Sequence, residues 1–189
     1  MIVQSEIKER KFFVSRLLDR PVPLWLGNAG VFLGFAFFIS VYGPLSWLLQ
    51  HGYPLFDLTI AASPDCIHTT LTAMGSEGRS VYYHLEMIDM LAPVFYGPGI
   101  FLSLLYVLQA WTKPGSSVRL LAFAPLVAGI LDWMENISIL RLLAIYPERN
   151  LLELLLGFIT TTKLVLVFGP TLVVFIGLVI LWWRRRQKL

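Results

Sequence analysis

Long apolar stretches separated by short polar segments dominate the pattern of this chain. Four of them cover residues 24–49, 81–111, 119–146 and 151–183. A helix needs about 20 mainly apolar residues to cross the hydrocarbon core of a bilayer, and each stretch is at least that long. The pattern therefore predicts an all-α fold. We expect an integral membrane four-helix bundle in which residues 1–189 form a single transmembrane domain.

The segment before the first apolar stretch predicts a short additional helix. Residues 5–19 combine apolar positions with several basic residues, and Pro21 and Pro23 end the pattern. A basic amphipathic helix at a chain end usually lies on the membrane surface, so we expect an N-terminal interfacial helix here. A solvated charged leader is the alternative. The segment lacks the features of a cleavable signal peptide, so the first span is expected to stay attached.

The connection over residues 51–80 carries helix signals of its own. Ser63 is a preferred residue at a helix start, Pro64 suits the first turn, and Asp65 favours the positive end of the helix. Gly75 suits the end of this helix. The connection is therefore expected to contain a short extracytoplasmic loop helix that lies over one mouth of the bundle.

Composition and charge support a membrane protein. The chain is 57% hydrophobic and 14% charged, with a mean hydropathy of +0.71, whereas soluble domains are about 45–50% apolar and about 25% charged. Cys66 is the only cysteine, which excludes an internal disulfide, a CxxCH haem motif and a cysteine-based zinc site. The net charge of +3 does not suggest a nucleic-acid partner.

The distribution of basic residues predicts the orientation. They concentrate before the first span, in the turn between the second and third spans, and after the fourth span. Because positive residues stay on the cytoplasmic side, both termini are expected in the cytoplasm. A cell (inner) membrane is favoured over organelle membranes.

Ionisable residues lie well inside three of the four apolar stretches. Asp89 lies in the second, Asp132 and Glu135 in the third, and Lys163 in the fourth. A charged side chain at the centre of a membrane helix costs about 2.5–3.5 kcal/mol on insertion scales, and it usually has a polar partner or lines a water-filled cavity. These residues therefore indicate either a functional site or buried ion pairs.

Helical periodicity places these residues beside other polar groups. Residues three, four and seven apart share one face of a helix. The faces defined in this way are Tyr82, Glu86, Asp89, Pro93 and Tyr96; Asp132, Glu135 and Asn136; and Thr160 and Lys163. With a rise of about 1.5 Å per residue, all three faces reach the outer half or the middle of the membrane. We therefore expect one shared polar interior.

Two interpretations of this interior stay open. In the first, Lys163 pairs with Glu135 or Asp132 and simply holds two spans together, a contribution of about 0.6–2 kcal/mol. In the second, the residues form a ligand, proton or catalytic site. Three acids exceed one lysine, so an unmatched carboxyl group is either protonated or binds a cationic or hydrogen-bonding group. A neutral carboxylic acid beside an ionised one is the usual arrangement for acid–base catalysis.

Other motifs add little chemistry. The chain has no GxSxG, HExxH, P-loop or GxGxxG motif. His51, His68 and His84 are too scattered to indicate a zinc site by spacing, so no metal is predicted. A metal bound by aspartate, glutamate and histidine stays an open alternative. The identity of any cofactor is unknown from the sequence.

Two stretches of the chain resemble those of other membrane proteins. The first is LTAMGSEGRSVY, residues 71–82, and the second is GILDWMEN, residues 129–136. Together they are similar to a loosely defined group of uncharacterised small four-span membrane proteins with an LGxxGRxxY segment, a following acid and a DxxEN segment. The resemblance implies no activity. It implies that these residues belong together: Gly78, Arg79, Tyr82, Asp89, Asp132, Glu135 and Asn136.

The first functional hypothesis is an acidic intramembrane site that binds or converts a lipid or isoprenoid-like molecule by acid–base chemistry. The predicted catalytic residues are Asp89 and Glu135, which donate and accept the proton, and Asp132, their electrostatic partner. The predicted ligand-binding residues are Tyr82, Glu86, Asn136, Lys163 and Arg79.

The alternative hypothesis is a non-catalytic accessory or assembly subunit of a larger membrane complex, in which the acids brace the bundle. It predicts a membrane-protein partner or a homo-oligomer. Proton-coupled transport is a third hypothesis, less favoured because four spans are few and no inverted repeat is visible. Whether the protein is an enzyme therefore stays open.

Overall fold

The fold is built from helices. The computed structural model describes residue 16 and residues 18–40 and 42–187, and within these residues no strand occurs, so the all-α prediction is confirmed. The described residues form seven α-helices: α1 Leu24–Ser40, α2 Tyr42–Gln50, α3 Pro64–Ala73, α4 Gly75–Asp89, α5 Ala92–Trp111, α6 Ala124–Ile145 and α7 Leu152–Arg186. Two short 3-10 helices are Phe56–Leu58 and Ser117–Phe123. The predicted interfacial helix over residues 5–19 lies almost entirely outside the described residues.

Three helical segments are long and apolar enough to cross a membrane. They are Ala92–Trp111, Ser117–Ile145 and Leu152–Arg186. Their length and composition indicate a multi-pass membrane protein. The first predicted span corresponds instead to two shorter helices, α1 and α2, and only Leu24–Gly34 of α1 forms a short apolar helical segment.

The second predicted span is not one continuous helix. α4 ends at Asp89, and α5 begins three residues later with Pro93 in its first turn. A proline has no N–H group to donate, and its ring clashes with the carbonyl group four residues earlier, here that of Asp89. The prediction of one helix over residues 81–111 is therefore wrong. At the break, the Met90 carbonyl oxygen accepts a hydrogen bond from the Trp133 indole at 2.8 Å.

The helix predicted in the long connection is confirmed as α3. The Ser63 hydroxyl oxygen accepts a hydrogen bond from the Cys66 backbone N–H at 3.2 Å, so it caps the start of the helix. Gly75 has a φ of +61°, which favours glycine and separates α3 from α4. α3 packs on α7, and the 3-10 helix Phe56–Leu58 packs on α6 and α7. The connection therefore folds against the helices that carry the predicted polar interior.

Glycines bring α1 close to α5. A Cβ atom placed on Gly30 would lie 2.8 Å from the Cα atom of Gly99, and one placed on Gly34 would lie 3.4 Å from the Tyr96 Cβ atom. Such distances leave no room for a larger side chain at Gly30. Gly30 and Gly34, which form a GxxxG pair, therefore let α1 approach α5 closely.

Two apolar clusters lie on either side of the polar residues. The first contains buried residues from the long connection and four helices, including Leu48, Phe56, Ile67, Leu71, Ile139 and Leu156. The second consists of Leu18, Leu104, Leu105, Leu108 and Ala122. Along the chain, Asp132 and Glu135 lie between Ala122 of one cluster and Ile139 of the other. Asp132 and Glu135 therefore lie between two packed apolar regions of the chain.

Candidate functional site

A buried ion pair network joins α6 to α7. Lys163 Nζ donates a hydrogen bond to Asp132 Oδ1 at 2.9 Å and another to Glu135 Oε2. The Thr160 hydroxyl also donates to Glu135. The side chain of Lys163 is 8% exposed and that of Glu135 is 0% exposed. Asp132 and Glu135 are three residues apart, as are Thr160 and Lys163, so each pair lies on one helix face. The predicted pairing of Lys163 with these carboxylates is confirmed.

Two further hydrogen bonds connect this network to the helix break. The Tyr96 hydroxyl, on α5, donates to Asp132 Oδ2 at 2.9 Å. The Asn136 amide, on α6, donates to Asp89 Oδ2 at 3.1 Å. Asp89 is the last residue of α4, so the break places its carboxyl group at the end of a helix and beside α6. The polar faces predicted for three stretches therefore meet in one cluster.

Asp57 joins the cluster from the long connection, and the sequence interpretation missed it. The Phe56 backbone N–H donates to the Tyr82 hydroxyl oxygen at 2.9 Å, and that hydroxyl lies 3.5 Å from Asp57 Oδ1. Removal from water raises the pKa of the Asp57 carboxyl group above its ordinary value, and the positive charge of Lys163 offsets part of this rise. The apolar residues Leu55 and Phe56, both buried, were the available signal that this part of the connection packs inward.

A cavity of about 270 Å³ opens beside the cluster. Its polar wall consists of Asp57, Asp89, Tyr96, Asp132 and Lys163. Its remaining wall is apolar and is formed mainly by Leu58, Ala92, Leu164, Val167 and Phe168. Ligand pockets are typically apolar clefts of about 300–1,000 Å³ with a few convergent polar groups. This cavity has that chemistry, with a volume just below that range.

A second, smaller cavity of about 70 Å³ shares part of its lining with the first. Both of these carboxyl groups, together with Leu58, line the two cavities. Glu86 lines only the smaller one, is 1% exposed, and has an Oε2 atom without a hydrogen-bond partner among the described residues. Asp57 and Asp89 are therefore in contact with both of two adjacent cavities.

Comparisons of the chain with protein-family models, with curated proteins and with solved structures find no match. The functional conclusion therefore rests on the geometry of the cluster and its two cavities. The resemblance to small four-span membrane proteins with LGxxGRxxY and DxxEN segments stays a prediction.

Arg79 does not join the cluster. Its guanidinium group donates to the Leu71 carbonyl oxygen at 2.8 Å and lies 4.1 Å from the centre of the Tyr146 ring. It is about seven residues, or about 10 Å of helix, from Glu86. These contacts hold α3 and α6 together, so the structure favours a packing role over the predicted ligand-binding role.

The other predicted residues differ in their access to the cavities. Asp89, Asp132 and Lys163 line the larger cavity, and Glu86 lines the smaller one. Tyr82 is fully buried and reaches the cluster through its hydroxyl group near Asp57. Glu135 is paired with Lys163 and Thr160 and is not among the residues that line these two cavities. Asp89 is thus better placed than Glu135 to meet a ligand.

The cluster contains more acids than bases. Five carboxyl groups of the described residues meet here, those of Asp57, Glu86, Asp89, Asp132 and Glu135. Lys163 provides the single ammonium group within the described residues that pairs with any of them. No group of three or more histidine, cysteine, aspartate or glutamate side chains within that part of the chain is arranged to hold a metal ion. The surplus carboxyl groups can therefore exchange protons or accept hydrogen bonds from a ligand.

Proposed function

We propose that this multi-pass membrane protein binds a lipid-like molecule, such as a lipid or an isoprenoid, in the larger cavity and acts on it by acid–base chemistry. The cavity of about 270 Å³ supports this proposal most directly, because it combines a wall of three carboxyl groups and one lysine with an apolar wall. A ligand with a polar head and an apolar chain matches both walls. Its chain would lie along Leu164, Val167 and Phe168 of α7.

Asp89 is the proposed proton carrier. It lines both cavities, and the Asn136 amide fixes one of its oxygen atoms. Asp132 is held by Tyr96 and Lys163 and serves as the electrostatic partner, with Lys163 as its counter-ion. Glu135 was predicted, with Asp89, to donate or accept the proton. It would instead act through Lys163, without contacting the ligand. Isomerisation or hydrolysis of a lipid or isoprenoid suits these groups, because both reactions need a proton to be moved at a positioned carbon or oxygen atom.

The proposal includes a membrane topology. α1, α5, α6 and α7 would cross a cell (inner) membrane, and both chain ends would lie in the cytoplasm. Arg184, Arg185 and Arg186 in the last turn of α7 and the basic turn between α5 and α6 support this orientation.

Binding by two variants of the purified protein tests the cavity. Ala92 is half-buried and lines the cavity, so Ala92→Phe should fill part of the space and weaken binding of a co-purified or added lipid by about tenfold or more. Val94→Phe, at an exposed position on the same helix, is the matched control and should bind normally. Lipid retained on the protein is measured by mass spectrometry. Equal retention by the two variants contradicts the proposal.

The acid–base role needs a separate test. Asp89→Asn preserves the shape of the side chain but removes the exchangeable proton, so turnover of a bound lipid should fall by about a hundredfold or more while binding persists. Asp65→Asn is the control, because Asp65 is exposed and pairs with Arg149 at the surface. Unchanged turnover in Asp89→Asn removes the catalytic part of the proposal and leaves the binding part.

One observation favours the alternative, an accessory subunit of a membrane complex. Lys163 pairs with both Asp132 and Glu135, an arrangement that braces α6 against α7 without any ligand. This alternative predicts co-purification with a fixed partner and loss of folding when Glu135 or Lys163 is neutralised. Recovery of a stable protein without a partner from detergent would argue against it.

A further inference from the structure

We propose that the site selects a single-chain ligand with a cationic amine head over ligands of the same chain length with a neutral or an anionic head. This inference rests on the proposed lipid-binding function and names the head group. It follows from three features of the cluster: most side-chain donors already bond to carboxyl groups, two buried acceptor atoms have no partner among the described residues, and carboxyl groups outnumber ammonium groups.

The side-chain donors around the larger cavity point at carboxyl groups of the protein. Lys163 donates to Asp132 and Glu135, Tyr96 donates to Asp132, and Asn136 donates to Asp89. A phosphate or carboxylate head would meet few free donors among these side chains, because the Tyr96 hydroxyl, two N–H groups of Lys163 and one N–H group of Asn136 already bond to carboxyl groups. It would also enter a region where the charge of Lys163 is already balanced by two carboxylates.

Acceptor atoms, in contrast, are left over. Glu86 Oε2 and Asn136 Oδ1 are buried and lack partners among the residues described by the structure. Glu86 is 1% exposed, and its side chain lines the smaller cavity. A buried acceptor without a donor is costly, and a ligand that donates hydrogen bonds removes that cost.

The two cavities give the head group a defined position. Asp57 and Asp89 line both cavities, so an ammonium group in the smaller cavity would lie beside both of these carboxyl groups and beside Glu86. The smaller cavity measures about 70 Å³, which is enough for a compact head group or about two water molecules, each of which occupies about 30 Å³ in the liquid. The chain of the ligand then extends into the larger cavity along α7.

The charge of the ligand follows from the carboxyl groups that line these walls. Asp57, Glu86 and Asp89 surround the smaller cavity, and the basic residue of the cluster, Lys163, lines only the larger one. A primary alkyl amine carries a positive charge at neutral pH, since its ordinary pKa resembles that of lysine at about 10.4. Beside these carboxyl groups it would favour their ionised form and donate up to three hydrogen bonds, as a lysine ammonium group does.

Three probes with one chain length test the inference. Dodecylamine, 1-dodecanol and dodecyl phosphate are titrated onto the purified full chain in phosphatidylcholine nanodiscs, and bound ligand is counted by native mass spectrometry. Dodecylamine should bind at least about tenfold more tightly than either of the other two, the difference expected for one charge-assisted hydrogen bond. Dodecanol or dodecyl phosphate binding as tightly as the amine overturns the inference.

Variants separate binding in the cavity from adsorption to the nanodisc. Glu86→Gln and Asp57→Asn should each weaken dodecylamine binding by about tenfold and leave 1-dodecanol binding unchanged. Asp65→Asn, at an exposed position, should leave all three probes unchanged. Asp57 lies in the connection, so this variant keeps the test available if Glu86→Gln does not fold. Amine binding that survives in Asp57→Asn at full strength also overturns the inference.

Ala92→Phe distinguishes this failure from failure of the proposed function. If none of the three probes loses affinity in Ala92→Phe, the cavity is not a lipid site and both proposals fall. If the probes lose affinity in that variant but the amine is not preferred, lipid binding stands and only the choice of head group is wrong.

Discussion

At the scale of single residues, the buried charges are stabilised by a matched spacing on two helices. Asp132 and Glu135 on α6 face Thr160 and Lys163 on α7, so one ammonium group serves two carboxylates. The arrangement replaces part of the hydration that each charge loses in an apolar surrounding. Removing Lys163 alone should therefore destabilise the folded protein, because both carboxylates would stay buried without their cation.

Lys163→Met should therefore destabilise the protein strongly. The substitution leaves Asp132 and Glu135 buried without their cation, which typically costs about 3–5 kcal/mol of unfolding free energy. Thermal unfolding in detergent measures the loss. Adding Asp132→Asn and Glu135→Gln to Lys163→Met should restore much of the stability, because no uncompensated charge remains.

The control for this experiment is Lys113→Met. Lys113 is exposed in the turn before α6, so its neutralisation should change the unfolding temperature little. An equal effect of the two lysine substitutions would mean that the buried network does not contribute to stability.

Asp57 should make a contribution to folding stability that decreases as the pH rises. Its pKa is raised in the folded state by removal from water, so the folded protein holds the proton at pH values where the unfolded chain has lost it. Stability from this group is therefore fully present below the unfolded pKa of about 3.9, and it is lost as pH rises through the folded pKa. Asp57→Asn cannot lose a proton and should escape this decline.

The measurement is the unfolding temperature of the wild type and of Asp57→Asn from about pH 4 to about pH 8. The variant should gain stability relative to the wild type as the pH rises. A difference between the two proteins that stays constant with pH would contradict the proposed burial of the carboxyl group.

At the scale of elements, a break and a close contact determine how α5 fits the bundle. The break after Asp89 ends α4 beside α6, and the contact between Gly30 and Gly99 holds α1 against α5. Both features depend on the backbone. The helix breaks because proline lacks an N–H donor, and the two helices approach closely because glycine lacks a Cβ atom. Substitutions at these glycines should therefore depend on the space around each of them.

Gly30→Ala and Gly169→Ala form a matched pair. The new Cβ atom at Gly30 would meet the Gly99 backbone at 2.8 Å, whereas Gly169, in α7, has no neighbour within 4 Å. Gly30→Ala should cost about 1–3 kcal/mol from overpacking. Gly169→Ala should stabilise α7 by about 0.5–1 kcal/mol, because alanine favours a helix more than glycine does. Thermal unfolding compares them, and equal effects would contradict the helix contact.

The sequence predicted those elements whose signals are local. Ser63 and Pro64 predicted the start of α3, and the spacing of Asp132, Glu135 and Lys163 predicted their meeting. Continuous apolar periodicity concealed the break before Pro93, because the polar face of that stretch continues across it. Asp57 could not be placed, since its position depends on a hydrogen bond between Phe56 and Tyr82, residues far apart in the chain.

At the scale of the whole molecule, the site receives residues from membrane helices and from the connection between α2 and α4. α6 and α7 contribute Asp132 and Lys163, and the connection contributes Asp57. The proposed topology places this connection and α3 outside the cytoplasm. The cluster would then be closer to that surface than to the cytoplasmic one.

Cys66 allows a direct test of this topology. It is the only cysteine in the chain and is exposed on α3. A membrane-impermeant maleimide should label it in intact cells without permeabilisation. Gln187→Cys, placed after α7 in a Cys66→Ser background, should be labelled only after the membrane is opened. Labelling of both positions in intact cells, or of neither, would contradict the orientation.

The indole of Trp133 also has a consequence for spectroscopy. Its N–H group is bonded to the Met90 carbonyl oxygen, one residue after Asp89, while its neighbour Asp132 lines the larger cavity. The fluorescence emission of Trp133 should therefore shift when a ligand in the larger cavity alters the junction of α4 and α5. A chain that keeps this tryptophan and replaces the others would contain its own fluorescent reporter of occupancy.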